Sequence, residues 1–262
     1  MSAIAFTLGP LTVRWYGVLI VTGIILAILL AGRLAARKNM KFDDLTDIAL
    51  VAVPLGILCA RAYYVIFSWD YYAANPSEII VIWHGGLAIH GGIIGGALGL
   101  LLVSHHKRQA FRSWADVIVP GLILAQSIGR WGNFFNQEAY GYETDLPWAF
   151  YIDGAYRHPT FLYESLWDLT GCLLLLCLWK LWSKRRTGDI AACYLIYYSL
   201  GRFVIEHFRT DSLMLGPLQM AQVISIVGII GGLLLFWFDR THPVENATPQ
   251  KYSAPKSPHK RR

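Results

Sequence analysis

Seven apolar stretches, at 15–33, 45–67, 87–104, 115–135, 161–182, 189–208 and 218–238, recur along a chain of 262 residues. Each approaches the ~20 residues that an α-helix needs to cross a hydrocarbon core about 30 Å thick. A backbone in lipid must satisfy its own hydrogen bonds, so the stretches read as helices. The expected fold is all-α: a polytopic membrane helical bundle of seven transmembrane helices with short connections. Composition agrees, with 55% hydrophobic residues, 15% charged residues and a mean hydropathy of +0.42, against roughly 25% charged in soluble domains. That leaves no room for a sizeable soluble domain, so 1–240 is expected to form a single unit followed by a tail at 241–262. The glycines of "HGGIIGGALGL" lower intrinsic helicity in the third stretch, but small residues let helices approach closely in lipid.

Charge orients the spans, because Lys and Arg are retained on the cytoplasmic side. Alternate connections hold Arg33, Arg37, Lys38 and Lys41, then Lys107, Arg108 and Arg112, then Lys180, Lys184, Arg185 and Arg186. The tail adds Arg240, Lys251, Lys256, Lys260, Arg261 and Arg262, whereas the opposite side has only Arg14, Arg157 and Arg209. The N-terminus is therefore expected outside and the C-terminus in the cytoplasm. The start of the chain lacks a basic n-region with a cleavage site, so no removable signal peptide is expected. The tail, polar, basic and proline-containing, reads as disordered and close to anionic lipid. Cys59, Cys172, Cys177 and Cys193 lie in apolar runs without metal-like spacing, which fits packing residues.

A charge at the centre of a span costs about 2.5–3.5 kcal/mol even on lenient scales, so each one needs a reason. In "SIGRWGNFFNQEAYG", Arg130, Asn133 and Gln137 recur at spacings of three and four, which puts them on one helix face. Such a face can hold an anion; the plainer alternative is that Arg130 snorkels while the amides cap the helix end. In "YYSLGRFVIEHFRTD", Tyr198, Arg202 and Glu206 also share a face, although Arg202 and Glu206 could simply neutralise each other. "WHGGLAIHGGIIGG" offers His84 and His90; histidine can take a proton near neutrality, and the spacing does not suit zinc. Tyr16 in "VRWYG" is either part of this external group or an aromatic-belt anchor. "YRHPTFLYE" adds Arg157, His158, Tyr163 and Glu164. Arg61 has no evident external partner and is expected to neutralise a carboxylate or carbonyl within the bundle.

Two guanidiniums with amides, tyrosines and a histidine suit a phosphate headgroup, since Arg forms charge-assisted, bidentate bonds to phosphate. The ligand would be a phospholipid entering sideways from the leaflet. Five segments, "VRWYG", "HGGLAIHGG", "GRWGNFFNQEAYG", "RHPTFLYE" and "GRFVIEHFR", together resemble, in order and spacing, the bacterial prolipoprotein diacylglyceryl transferases. The resemblance covers about residues 11 to 240. It implies a transmembrane catalytic domain that moves the sn-1,2-diacylglyceryl group from phosphatidylglycerol to the lipobox cysteine of prolipoproteins, releasing glycerol 1-phosphate. It also implies a multi-pass protein of the bacterial inner membrane with its active site towards the outer face. The family's phosphatidylglycerol-binding arginine falls on Arg130, accompanied by Asn133, Glu138 and Gly141. Its essential histidine falls on His90, its first-span tyrosine on Tyr16, and its sixth-span group on Tyr198, Arg202 and Glu206. Gln137 stands where the family also has small residues.

The chemistry expected on that basis is attack of a cysteine thiolate on glycerol C3. A free thiol has a pKa of about 8.5, so a base or a positive field must raise its thiolate fraction. His90 is the candidate base, while Arg130 and Arg202 stabilise the departing phosphate. No metal, cofactor or nucleic acid is expected, and the H-E-x-x-H and P-loop patterns are absent from the sequence. The alternative from another class is a secondary transporter or channel for an anion or protons, which would need an inverted repeat with broken helices. None is found in the sequence. A serine protease lacks its G-x-S-x-G element.

Overall fold

The apolar stretches fold as helices. The computed structural model describes residues 2–9 and 11–242. Its long helices are α1 (Trp15–Arg37) and α2 (Phe42–Phe67), then, after the short α3 (Trp69–Ala74), α4 (Ile89–His106), α5 (Phe111–Asn136), α6 (Thr160–Leu181), α7 (Asp189–Glu206) and α8 (Met220–Thr241). Five of them, α1, α2, α4, α6 and the Met220–Phe238 part of α8, are long and apolar enough to cross a membrane. Their outer faces carry bare aliphatic side chains: Leu50 is 68% exposed, Leu58 66%, Leu173 60% and Val227 63%. Water does not tolerate that much contiguous apolar surface on a monomer, whereas lipid does. The protein is a membrane helical bundle.

The expected helices at 115–135 and 189–208 exist as α5 and α7, but neither is among the five apolar ones. The reason is their place in the bundle. Trp114, Val117 and Ile123 of α5 and Ile190 of α7 are fully buried and join one core with Leu34, Leu45, Leu175 and Trp179. Helices shielded by their neighbours can carry polar residues without exposing them to lipid.

The bundle is mostly helical, with short strands added at helix starts. Three two-stranded antiparallel hairpins are present: β1 (Ile4–Leu8) with β2 (Leu11–Arg14), β3 (Phe150–Ile152) with β4 (Ala155–Arg157), and β5 (Met214–Leu215) with β6 (Leu218–Gln219). They precede α1, α6 and α8, and two 3-10 turns at Pro76–Ile80 and Ile82–His84 precede α4. All these insertions crowd one end of the bundle. The segment 139–143 pairs there with 208–210: the Tyr142 N–H donates to the Phe208 carbonyl and the Thr210 N–H to the Tyr140 carbonyl. Short connections at 38–41, 107–110 and 182–188 make the other end.

That second end is tied by charge. Asp116 of α5, fully buried, accepts the N–H groups of Gly188, Ile190 and Ala191 at 2.9, 3.1 and 3.0 Å. It therefore caps the N-terminus of α7 from a different helix, satisfying donors that a helix start leaves unpaired. Lys38 reaches the same carboxylate at 3.3 Å, Lys107 pairs with Asp44 at 2.6 Å, and Arg240 with Asp189 at 3.1 Å. The basic residues of alternate connections thus gather at one end. The expected tail at 241–262 begins inside α8, whose last residue is Thr241, and residues 243–262 lie outside the described ones.

Packing of α4 against α2 depends on small residues. A Cβ on Gly91, Gly95 or Gly99 would overlap main-chain atoms of Cys59, Leu55 or Ala52 respectively. The α4 backbone rests directly on α2, which carries Arg61. Arg61 is buried and donates five hydrogen bonds to the carbonyls of Glu78, Ile79, Val81, Gly85 and Gly86, at 2.6 to 3.3 Å. The expected carbonyl partners are real, but they belong to the loop in front of α4 at the hairpin end.

Candidate active site

A helix presents residues four apart on one face, so α7 turns Tyr198, Arg202 and Glu206 the same way. Opposite them stands Glu164, at the second turn of α6 and 4% exposed. Its two oxygens are divided between two guanidiniums: Oε2 lies 2.6 Å from Arg130 Nη2 and Oε1 2.6 Å from Arg202 Nη1. Arg130 also donates to the Tyr198 hydroxyl at 3.3 Å. Arg202 turns its other nitrogen to Glu206, 2.6 Å away and 2% exposed. Arg209, just past α7, reaches Glu164 at 3.4 Å and Asp211 at 2.9 Å. Burial lowers the pKa of Arg209, but the hydrogen bond to Asp211 and the charges of Glu164, Asp211 and Glu206 outweigh it and hold the guanidinium above its ordinary range.

Three helices, α5, α6 and α7, therefore converge on one ion-paired cluster. Asp168, one turn beyond Glu164, is within electrostatic reach of Arg130, Glu164 and Arg202. Among the described residues its Oδ2 is buried without a hydrogen-bond partner, and Glu164 Oε2 and Glu206 Oε2 meet their guanidiniums as ion pairs without hydrogen-bond geometry. Glu164, Asp168, Tyr198 and Arg202 line one narrow pocket. In a low-dielectric setting an uncompensated charge in such a network costs several kcal/mol, so each guanidinium needs an anionic partner.

The remaining expected residues sit around this centre. Tyr16 lays its ring on Gly132, where a Cβ would strike it, and is within reach of Glu138 and Arg130. Asn133 donates to Glu138 at 3.0 Å, and Asn136 donates to the same oxygen at 3.2 Å. The Glu138 N–H in turn bonds the Asn133 carbonyl, closing the end of α5. Gly141 lies where the loop passes between His158 and Phe208, and a Cβ there would overlap the His158 side chain and the Phe208 carbonyl.

One placement differs from expectation. Gln137 does not share a face with Arg130 and Asn133, because α5 ends at Asn136 and Gln137 takes a left-handed conformation. Its side chain accepts the Asp153 N–H at 2.8 Å and so anchors the β3–β4 hairpin. His90, at the start of α4, stands apart from the arginines. Its ring lies 5.7 Å from that of Tyr63 on α2, and among the described residues no hydrogen bond or ion pair joins it to the cluster. Sequence reasoning named Glu164 among the external polar residues without assigning it a partner, counted Arg209 only for orientation, and passed over Asp168. Glu164 and Asp168 are acids at helical spacing within an apolar run, the same signal that marked Arg202 and Glu206.

The sequence model of the family described as prolipoprotein diacylglyceryl transferase matches residues 3–238. A protein of Clostridioides difficile named phosphatidylglycerol–prolipoprotein diacylglyceryl transferase is 50% identical over 234 residues, covering 89% of this chain and 94% of its own. Its namesake in Streptococcus mutans is 51% identical over 243 residues, covering 90% and 94%. Another, from Acaryochloris marina, is 49% identical over 243 residues, covering 88% and 89%. With a match along almost its whole described length and about half its residues shared with enzymes of three organisms, the chain belongs to the prolipoprotein diacylglyceryl transferase family.

Proposed function

We propose that the protein transfers the sn-1,2-diacylglyceryl group of phosphatidylglycerol to the lipobox cysteine of prolipoproteins, the first step of lipoprotein maturation. The observation that carries this reading is the convergence of Arg130 and Arg202 on a single anionic position beside Tyr198. The names of the relatives supply the two substrates. The reading extends to seven transmembrane helices, the N-terminus outside and the C-terminus in the cytoplasm, in a bacterial inner membrane. Residues 1–240 make the catalytic domain, with the site towards the outer face.

The reaction is a displacement at carbon. The cysteine thiolate attacks glycerol C3, a C–S bond forms, and the C3–O bond to phosphate breaks with its electron pair moving to the phosphate oxygen. Glycerol 1-phosphate leaves. Arg130 and Arg202 oppose the charge that grows on the departing phosphate, and donors aimed at developing charge in a water-poor site contribute about 3–4 kcal/mol each. Tyr198 orients Arg130, while Tyr16, Asn133, Glu138 and Gly141 shape the headgroup end of the site. His90 accepts the thiol proton. Its place at the start of α4 fits a thiol that approaches along that helix while the phosphate is held between α5, α6 and α7. No metal or cofactor is needed for this chemistry.

The test mixes purified protein, phosphatidylglycerol vesicles and a peptide carrying a lipobox cysteine. A mass gain of one diacylglyceryl group on the peptide, with equimolar glycerol 1-phosphate released, supports the reading. No gain from folded protein removes it.

A further inference from the structure

The position expected to hold a phosphate already holds a carboxylate. Glu164 bridges two guanidiniums with separate oxygens, each at 2.6 Å, in a setting that leaves it 4% exposed. Two oxygens of a phosphate make the same kind of bridge between two arginines. The cluster also lacks spare positive charge. Arg130, Arg202 and Arg209 face Glu164, Glu206 and Asp211, and Asp168 adds a further carboxyl group with an unpartnered oxygen. An anion entering this group meets carboxylates already engaged with every guanidinium, and like charges in a low-dielectric site repel strongly. It can gain both Arg130 and Arg202 only if Glu164 gives them up.

We propose that Glu164 is an internal counter-ion that occupies the phosphate position between Arg130 and Arg202 and exchanges with the substrate's phosphate. It is a positioning residue. In the empty site it keeps two mutually repelling guanidiniums together, and after reaction its return displaces the phosphomonoester product. The inference rests on the proposed transfer for the identity of the phosphate, but the exchange itself concerns any phosphate at this position.

Full-length protein in detergent is titrated with inorganic phosphate by calorimetry, comparing wild type, Glu164→Gln and Glu164→Asp. Removing the competing charge in Glu164→Gln is expected to tighten phosphate binding about tenfold, and keeping it in Glu164→Asp to leave affinity within about threefold of wild type. In the transfer assay the Gln variant shows a lower KM for phosphatidylglycerol together with a lower kcat, because product leaves slowly; a purely structural role would raise KM. Affinity that is unchanged or weaker in the Gln variant, or alike in the two variants, overturns the proposal. A second measurement needs no variant: phosphate-induced infrared difference spectra of wild type should report a shifted carboxylate stretch, and its absence overturns the proposal as well. Wild-type protein that fails to transfer while the Gln variant still binds phosphate more tightly would remove the functional reading and leave the exchange standing.

Discussion

Arg130 uses one nitrogen for both Glu164 and the Tyr198 hydroxyl, so its work depends on a planar group whose donors are fixed in direction. A lysine ammonium is a point charge on a flexible stem and cannot offer a phosphate the two parallel donors of a guanidinium. Arg130→Lys is therefore expected to lower kcat by about 10²–10³ while the protein still inserts and unfolds near the wild-type temperature. Full activity in the Lys variant would refute the phosphate-clamp role. His90 separates from this prediction because it lies against Tyr63 and not within the cluster. His90→Gln should reduce transfer about 10²–10⁴-fold with little change in KM for phosphatidylglycerol, as expected for loss of a general base. A variant with normal rates across neutral pH would leave thiol activation to the arginine field. Arg130, Arg202 and Glu206 were legible in the sequence because a charge inside an apolar run demands an explanation. Glu164 was visible by the same signal, but not its role, since nothing in the sequence says which guanidiniums an acid in the second turn of α6 meets. Spacing reveals which residues share a helix face, but not which face of another helix meets it, and the pairing of α6 with α5 and α7 is what gives Glu164 its place.

Among the elements, the α2–α4 pair shows how finely the bundle is fitted. A Cβ on Gly95 would overlap the Leu55 carbonyl and the Gly56 Cα, whereas one on Gly96, the next residue, meets nothing within 4 Å. Gly95→Ala must push two backbones apart and is expected to destabilise the protein by about 1–3 kcal/mol, as overpacking does. Gly96→Ala adds helix propensity in open space and should be neutral or stabilising by up to about 1 kcal/mol. Unfolding by SDS titration in mixed micelles distinguishes them; equal effects would mean that close approach does not hold these helices. The glycine-rich run announced close packing from sequence, though not its partner. The hairpins were not announced at all. With strands as short as Met214–Leu215, they present no alternation to read, and their pairing is set by the helix ends that bracket them. The end of α5 was similarly hidden, since the polar run continues past Asn136 while the left-handed turn at Gln137 stops the helix.

For the whole molecule, the two ends are chemically different, and that difference makes the orientation testable. Lys38, Lys107, Arg186 and Arg240 are ranged at the short-loop end, held to Asp116, Asp44 and Asp189 or to a neighbouring carbonyl. The hairpins and the arginine cluster lie towards the other end, as the pairing of Gly141 with Arg209 and the bond from Gln219 to the Glu206 carbonyl show. In the proposed topology, retention of Lys and Arg in the cytoplasm puts the basic end inside. A fluorescent reporter fused after Arg262 should be bright in cells, and a phosphatase that folds only outside the cytoplasm should be inactive there. The same phosphatase inserted at the β3–β4 turn, Asp153–Gly154, should be active. The pair of fusions matters more than either alone, because the number of crossings between them must be odd. Activity of the phosphatase at Arg262 would turn the arginine cluster towards the cytoplasm, where a cysteine beyond the outer boundary of a translocating signal peptide could not reach it, and the proposed reaction would fall with the topology.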